Sequence, residues 1–163
     1  MQNPTFLQAG YLEAADAPTP SPSAHYTFFD HDDKHIEVLA WGETPERAME
    51  AAAQALFALQ TDVDGVGAEQ RVLFEFMETD VEMALFRWLN LLLAHAQVRN
   101  MQFGEFRLRA DGNRWYGEAS GQANHDGLAR YQHIRGLSLE MLQLRPEGER
   151  WRACYMAQRQ TER

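Results

Sequence analysis

The sequence predicts an α+β domain in which two helices pack on a mainly antiparallel β-sheet. Three observations lead there. The stretches 45–60 and 80–96 carry apolar residues at helical spacing. Seven shorter segments read as strands, several with alternating apolar residues. The links between the later strands are short turns, which suits hairpins rather than the crossovers of a doubly wound fold.

Residues 1–24 read as a flexible tail ahead of a domain spanning 25–163. Three of the six prolines fall at Pro18, Pro20 and Pro22, and such spacing sustains neither a helix nor a central strand. Phe6, Leu7, Tyr11 and Leu12 leave the tail apolar residues with which to dock; the alternative is a disordered leader. His25 to Phe29 is a short aromatic strand. Ile36, Val38 and Ala40 then share one face of a second strand. Thr44 is a good N-cap, Pro45 fits the first helical position, and Glu46 suits the positive end of the helix dipole. Asp62-Val63-Asp64-Gly65 ends that helix. It hints at a calcium loop but lacks the downstream ligands of an EF-hand.

Val72, Phe74 and Phe76 alternate on the next strand, and Thr79-Asp80-Val81-Glu82 reads as a capping box. The second helix carries Leu85, Trp88, Leu89 and Leu92, with His95 placed as a cation near its C-terminus. Phe106, Leu108 and Ala110 alternate with Arg107 and Arg109, and Asp111-Gly112 signals a hairpin. The chain returns over 114–120. It finishes with strands at 137–145 and 151–158 around a turn at Pro146-Glu147-Gly148-Glu149. Trp88, Leu89, Leu85, Leu56, Phe74 and Leu108 are the expected core.

Composition narrows the function. The chain has 163 residues and a net charge of −9, which suits one domain. Residues 1–100 hold 16 acidic and 5 basic side chains, and the remainder 8 acidic and 10 basic. Such a chain repels phosphate, so tight direct binding of nucleic acid is not expected. Its longest apolar runs fall far short of the about 20 residues a membrane span needs. No secretory leader is visible and the first Lys or Arg is Lys34, so the expected location is cytoplasmic. The single cysteine, Cys154, excludes an internal disulfide and reads as a packing residue.

No phosphate loop, nucleophile elbow or zinc-protease helix is present. One cluster stands out: Asp30-His31-Asp32-Asp33-Lys34-His35. Three carboxylates and two imidazoles in six residues repel one another unless a cation or partner relieves them. Carboxylates favour Ca²⁺ or Mg²⁺, while imidazoles shift a site toward zinc. The alternative is an exposed acidic turn partly compensated by Lys34.

Several segments together resemble the archease family. Phe28-Phe29-Asp30-His31 before an acidic turn is similar to the start of archeases. Ala40-Trp41-Gly42-Glu43-Thr44-Pro45-Glu46 resembles their strand-to-helix turn. Ala55 to Asp62 resembles the end of their first helix, and Trp88-Leu89-Asn90-Leu91-Leu92-Leu93 is similar to their Trp-Leu-Asn-Glu-Leu-Leu segment. Tyr116-Gly117-Glu118 resembles a later Gly-Glu pair. The resemblance runs from about Tyr26 to Gln158.

It implies an accessory protein rather than an enzyme. Archeases activate the RtcB-type GTP-dependent RNA ligase in tRNA splicing and RNA repair, promoting its guanylylation and turnover. They bind a divalent ion through an Asp in a Thr-Ala-Asp motif and an Asp near the C-terminus. Counting back from Trp41 without a gap puts His35 at the motif position, whereas an insertion puts Asp33 there, with Asp32 as a competing carboxylate. The C-terminal Asp aligns with Gln158. The implied site is therefore Asp32, Asp33, His35 and Gln158, altered toward Ca²⁺ or Zn²⁺. The other reading is an archease-fold interaction protein with a different partner and no metal dependence.

Overall fold

A computed structural model describes residues 25–160; the expected tail, 1–24, lies outside the described residues. The chain runs β1 (Tyr26–Asp30), β2 (His35–Gly42), α1 (Pro45–Ala58), a 3₁₀ turn (Val63–Gly65) and β3 (Gln70–Met77). It continues through α2 (Val81–Arg99), β4 (Met101–Asp111), β5 (Arg114–Ala123), β6 (Ile134–Glu147) and β7 (Arg150–Arg159). The expected α+β class is what the structure shows. Its strands divide into two sheets, β1-β2-β7-β6 and β3-β5-β4, and every pairing is antiparallel.

Helix α1 touches β2 and β7 of one sheet and β4 of the other, while α2 touches β6 and β4. The helices therefore fill the space between the sheets, and one apolar core serves both. That position explains why both helices are apolar beyond a single stripe. Trp88, Leu89, Leu85, Leu56 and Leu108 are buried as expected. A fully buried leucine of this kind contributes about 1.5–3 kcal/mol. Phe74 is only half-buried, because β3 is an edge strand. It still packs against the core, edge-on to Trp88 with ring centroids 6.0 Å apart.

Local signals mostly hold. Thr44 Oγ1 accepts from Arg47 N at 3.1 Å, and Pro45 and Glu46 sit in the first turn of α1. The cap of α2 is one residue later than the capping-box reading. Asp80 accepts from Glu82 N at 2.9 Å and Met83 N at 3.4 Å. Glu82 instead accepts from Leu144 N on β6 at 3.0 Å, a partner that only tertiary contact supplies. The His95 ring packs against those of Phe74 and Phe103, with centroids 5.7 and 5.9 Å away. Its role is thus aromatic packing, and Arg99 is the cation of the last turn.

Candidate functional site

The acidic segment forms the tip of the β1–β2 hairpin. His31 N donates to His35 O at 2.9 Å and closes the turn. Asp32 Oδ1 then accepts from Lys34 N at 2.7 Å and from His35 N at 2.9 Å, and lies 3.0 Å from His35 Nδ1. An aspartate that bonds the backbone two and three residues on is a turn former. The Lys34 backbone N–H, followed by the His35 side chain, holds the Asp32 carboxyl below its usual range. His31 Nε2 lies 3.0 Å from Glu37 Oε1.

The next strand supplies a cation. Arg159, at the end of β7, donates from Nη2 to Asp30 Oδ1 at 2.9 Å and to Asp32 O at 3.3 Å. Its Nη1 donates to Gln132 Oε1 at 2.6 Å, and its backbone N to Lys34 O at 2.8 Å. The guanidinium therefore joins the acidic turn, the segment before β6 and the end of the sheet. Arg159 was not among the sequence candidates. The available signal was a basic residue beside Gln158, the position aligned with a carboxylate of the ion pair.

Of the expected site residues, Asp32 and His35 touch, and Gln158 faces His35 across the β2–β7 ladder. Asp33 is exposed on the turn. Among the described residues no three His, Cys, Asp or Glu side chains converge closely enough to hold a metal ion. The donors are also committed: Asp32 to two backbone N–H groups and an imidazole, Asp30 to Arg159. A guanidinium already inside the cluster opposes a second cation. As arranged, this donor set does not fit a divalent ion.

A second array joins the turn to the outer face of the sheet. Cys154 Sγ lies 3.5 Å from Glu37 Oε2, and Glu37 in turn meets His31. This order is the reverse of a thiol-activating one. Burial first, and then the adjacent Glu37 carboxylate, push the Cys154 thiol up to about 12. A nucleophile needs the thiolate, and here it is suppressed. The grooves beside α1 offer no better arrangement. Arg47 and Glu50 pair there at 3.0 Å, and Glu50 accepts from Leu108 N at 2.7 Å. Burial raises the Glu50 carboxyl, but both its oxygens are bonded. No helix of the described chain is long and apolar enough to cross a membrane.

Comparison with known proteins gives one consistent answer. The archease protein family (MTH1598/TM1083) matches residues 26–157. The archease of Sulfolobus acidocaldarius is 32% identical over 107 residues, covering 62% of this chain and 76% of that protein. The archease of Methanopyrus kandleri is 28% identical over 121 residues, covering 71% of this chain and 86% of its own. In fold, the chain is similar to the solution structure of Methanobacterium thermoautotrophicum protein 1598. The TM-score is 0.71 at 22% identity, over 82% of this chain and 98% of that one. It is also similar to a crystal structure from Thermotoga maritima described as an archease, possible chaperone. That comparison gives a TM-score of 0.57 at 15% identity, over 80% of this chain and 97% of that one. With a family match spanning nearly the whole two-sheet domain, this chain belongs to the archease family.

Proposed function

We propose that this protein is an accessory factor that activates an RtcB-type GTP-dependent RNA ligase by protein–protein contact. Membership of the archease family across residues 26–157 carries the reading. The chain's net charge of −9 supports it, since an acidic surface suits docking on a basic, RNA-binding enzyme. The suppressed Cys154 thiol and the fully bonded Glu50 support an accessory rather than a catalytic role. The reading implies a cytoplasmic protein that meets its ligase there.

A specific observation favours a second reading. The Arg159 guanidinium occupies the acidic turn, so the protein can serve as an archease-fold interaction module without a metal, for a partner other than the ligase.

One assay separates the two. Ligase guanylylation and multiple-turnover RNA joining are measured with and without the protein, over a range of salt. Stimulation that weakens as salt rises supports the first reading. No stimulation at saturating protein overturns it. A native pull-down that then recovers another protein and no ligase supports the second.

A further inference from the structure

The three-stranded sheet has two edges, and only one of them is covered among the described residues. At the β4 edge, α1 takes the place of a neighbouring strand. Leu108 N donates to Glu50 Oε2 at 2.7 Å, and Leu108 O accepts from Arg47 Nη2 at 3.1 Å. At the β3 edge no strand pairs among the described residues. An edge of this kind offers a row of backbone N–H and C=O groups. Its side chains are open as well. On the outer face Arg71, Leu73, Glu75 and Met77 are exposed, Leu73 at 69% and Met77 at 50%. On the inner face Val72 and Phe74 pack against the core yet stay half-buried. Such an edge, apolar on both faces and uncovered, fits the addition of a further strand.

We propose that a second copy of the chain supplies this strand, β3 pairing antiparallel with β3 about a two-fold axis through Leu73. Charge complementarity in the register selects this occupant. Centred on Leu73, the pairing sets Arg71 opposite Glu75 of the second copy, and Glu75 opposite Arg71 of the second copy. Leu73 then faces Leu73, and Val72 faces Phe74, so apolar residues meet on both faces of the sheet. The neighbouring centres fail. Centring on Arg71 or Glu75 opposes like charges. Centring on Val72 or Phe74 sets Arg71 against Leu73 or Met77. A centre between two residues turns the outer face of one copy to the inner face of the other. Partners within the chain leave room for this contact. Arg71 lies 3.5 Å from Glu118, and Glu75 2.7 Å from Arg114, with Arg71 65% and Glu75 54% exposed. A guanidinium has five donors and a carboxylate two acceptor oxygens, so Arg71 and Glu75 can each hold a second partner. The ion pairs then run from Glu118 and Arg71 of one copy to Glu75 and Arg114 of the other. Because the two-fold pairing uses the β3 edge of both copies, it closes as a dimer with one continuous sheet rather than growing as a fibre. This inference does not depend on which partner the protein serves.

Sedimentation equilibrium of the full-length protein tests it. The eight-residue edge is about 27 Å long and makes a contact at the small end of protein interfaces. The measurement therefore covers dissociation constants from about 1 µM to about 1 mM. The average mass is expected to rise with concentration from 18.7 kDa toward twice that value. Arg71→Glu and Glu75→Arg are each expected to weaken the dimer at least about tenfold, since each sets like charges opposite one another. Mixing the two variants restores opposite charges between unlike copies, and the mixture is expected to regain most of the association that each has lost. Circular dichroism confirms that each is folded. Leu73→Lys, which meets its own charge across the axis, replaces a variant that does not fold. A mass that stays at 18.7 kDa up to about 1 mM overturns the proposal. So does a dimer that the folded variants do not weaken, or one that mixing does not recover, since either places the interface elsewhere.

Discussion

The six-membered ring of the Trp88 indole lies against Gly117, so close that a β-carbon there would overlap it. Trp88 comes from α2 and Gly117 from the central strand of the three-stranded sheet. The ring has nowhere to retreat: Nε1 donates to Met49 O of α1 at 3.1 Å, and the side chain is 0% exposed. One contact thereby locks both helices to this sheet. Gly117→Ala is expected to destabilise the protein by about 1–3 kcal/mol, as overpacking does in a filled core. The urea midpoint checks it, and an unchanged midpoint would show that the ring can move.

Arg159 should matter more than an ordinary surface arginine, because its side chain is only 19% exposed and bonds two separate segments. Arg159→Ala is expected to cost about 1.5–3 kcal/mol, the range for hydrogen bonds to charged groups. With Asp30 committed to Arg159, calorimetric titration of the wild-type protein with Ca²⁺, Mg²⁺ or Zn²⁺ should show no binding tighter than about millimolar. Tighter binding that is lost in Asp32→Ala with His35→Ala would mean the turn rearranges around an ion.

Alkaline pH should weaken the fold in a defined order. Folding raises the Cys154 thiol from 9.0 to about 12. The stability tied to its protonated form is therefore complete below about pH 9 and is lost as pH rises toward 12. Tyr26 is raised from 10.0 to about 12 by burial first and then by Asp64 and Asp62, and burial raises Tyr155 as well. Their contributions decline only above pH 10. Between pH 9 and 10 the thiol dominates, and the expected loss is about 1 kcal/mol by pH 10. Urea midpoints at pH 7, 9 and 10 should fall in the wild type and stay flatter in Cys154→Ala.

Direct affinity for RNA should be poor. At a net charge of −9, the isolated protein is expected to bind single-stranded RNA no tighter than about micromolar at physiological salt. Fluorescence anisotropy with a labelled oligonucleotide measures this. Submicromolar binding would locate the RNA contact in the protein itself rather than in its partner.

Much of the domain was legible because its signals are local. Thr44-Pro45-Glu46 starts α1 by satisfying backbone donors within one turn, and Gly112, at a φ of +64°, makes the β4–β5 hairpin where Asp111-Gly112 pointed. The readings that shifted concern residues with distant partners. Glu82 left its capping role for Leu144, and His95 found Phe74 and Phe103. The acidic turn was visible as an unusual charge cluster. Its cation, Arg159, lies 127 residues beyond Asp32, so adjacency in sequence could not reveal it.

The sequence alone determined which segments are helix and strand, where α1 begins, and how apolar residues alternate, because these follow from backbone sterics and side-chain periodicity within a few residues. Tertiary structure decided the rest. It divided the strands into two sheets with the helices between them. It placed Trp88 on Gly117, and it tied the acidic turn to Arg159 through Asp30. Packing and charge act through space, and their energies depend on which groups the fold brings within a few ångströms and removes from water.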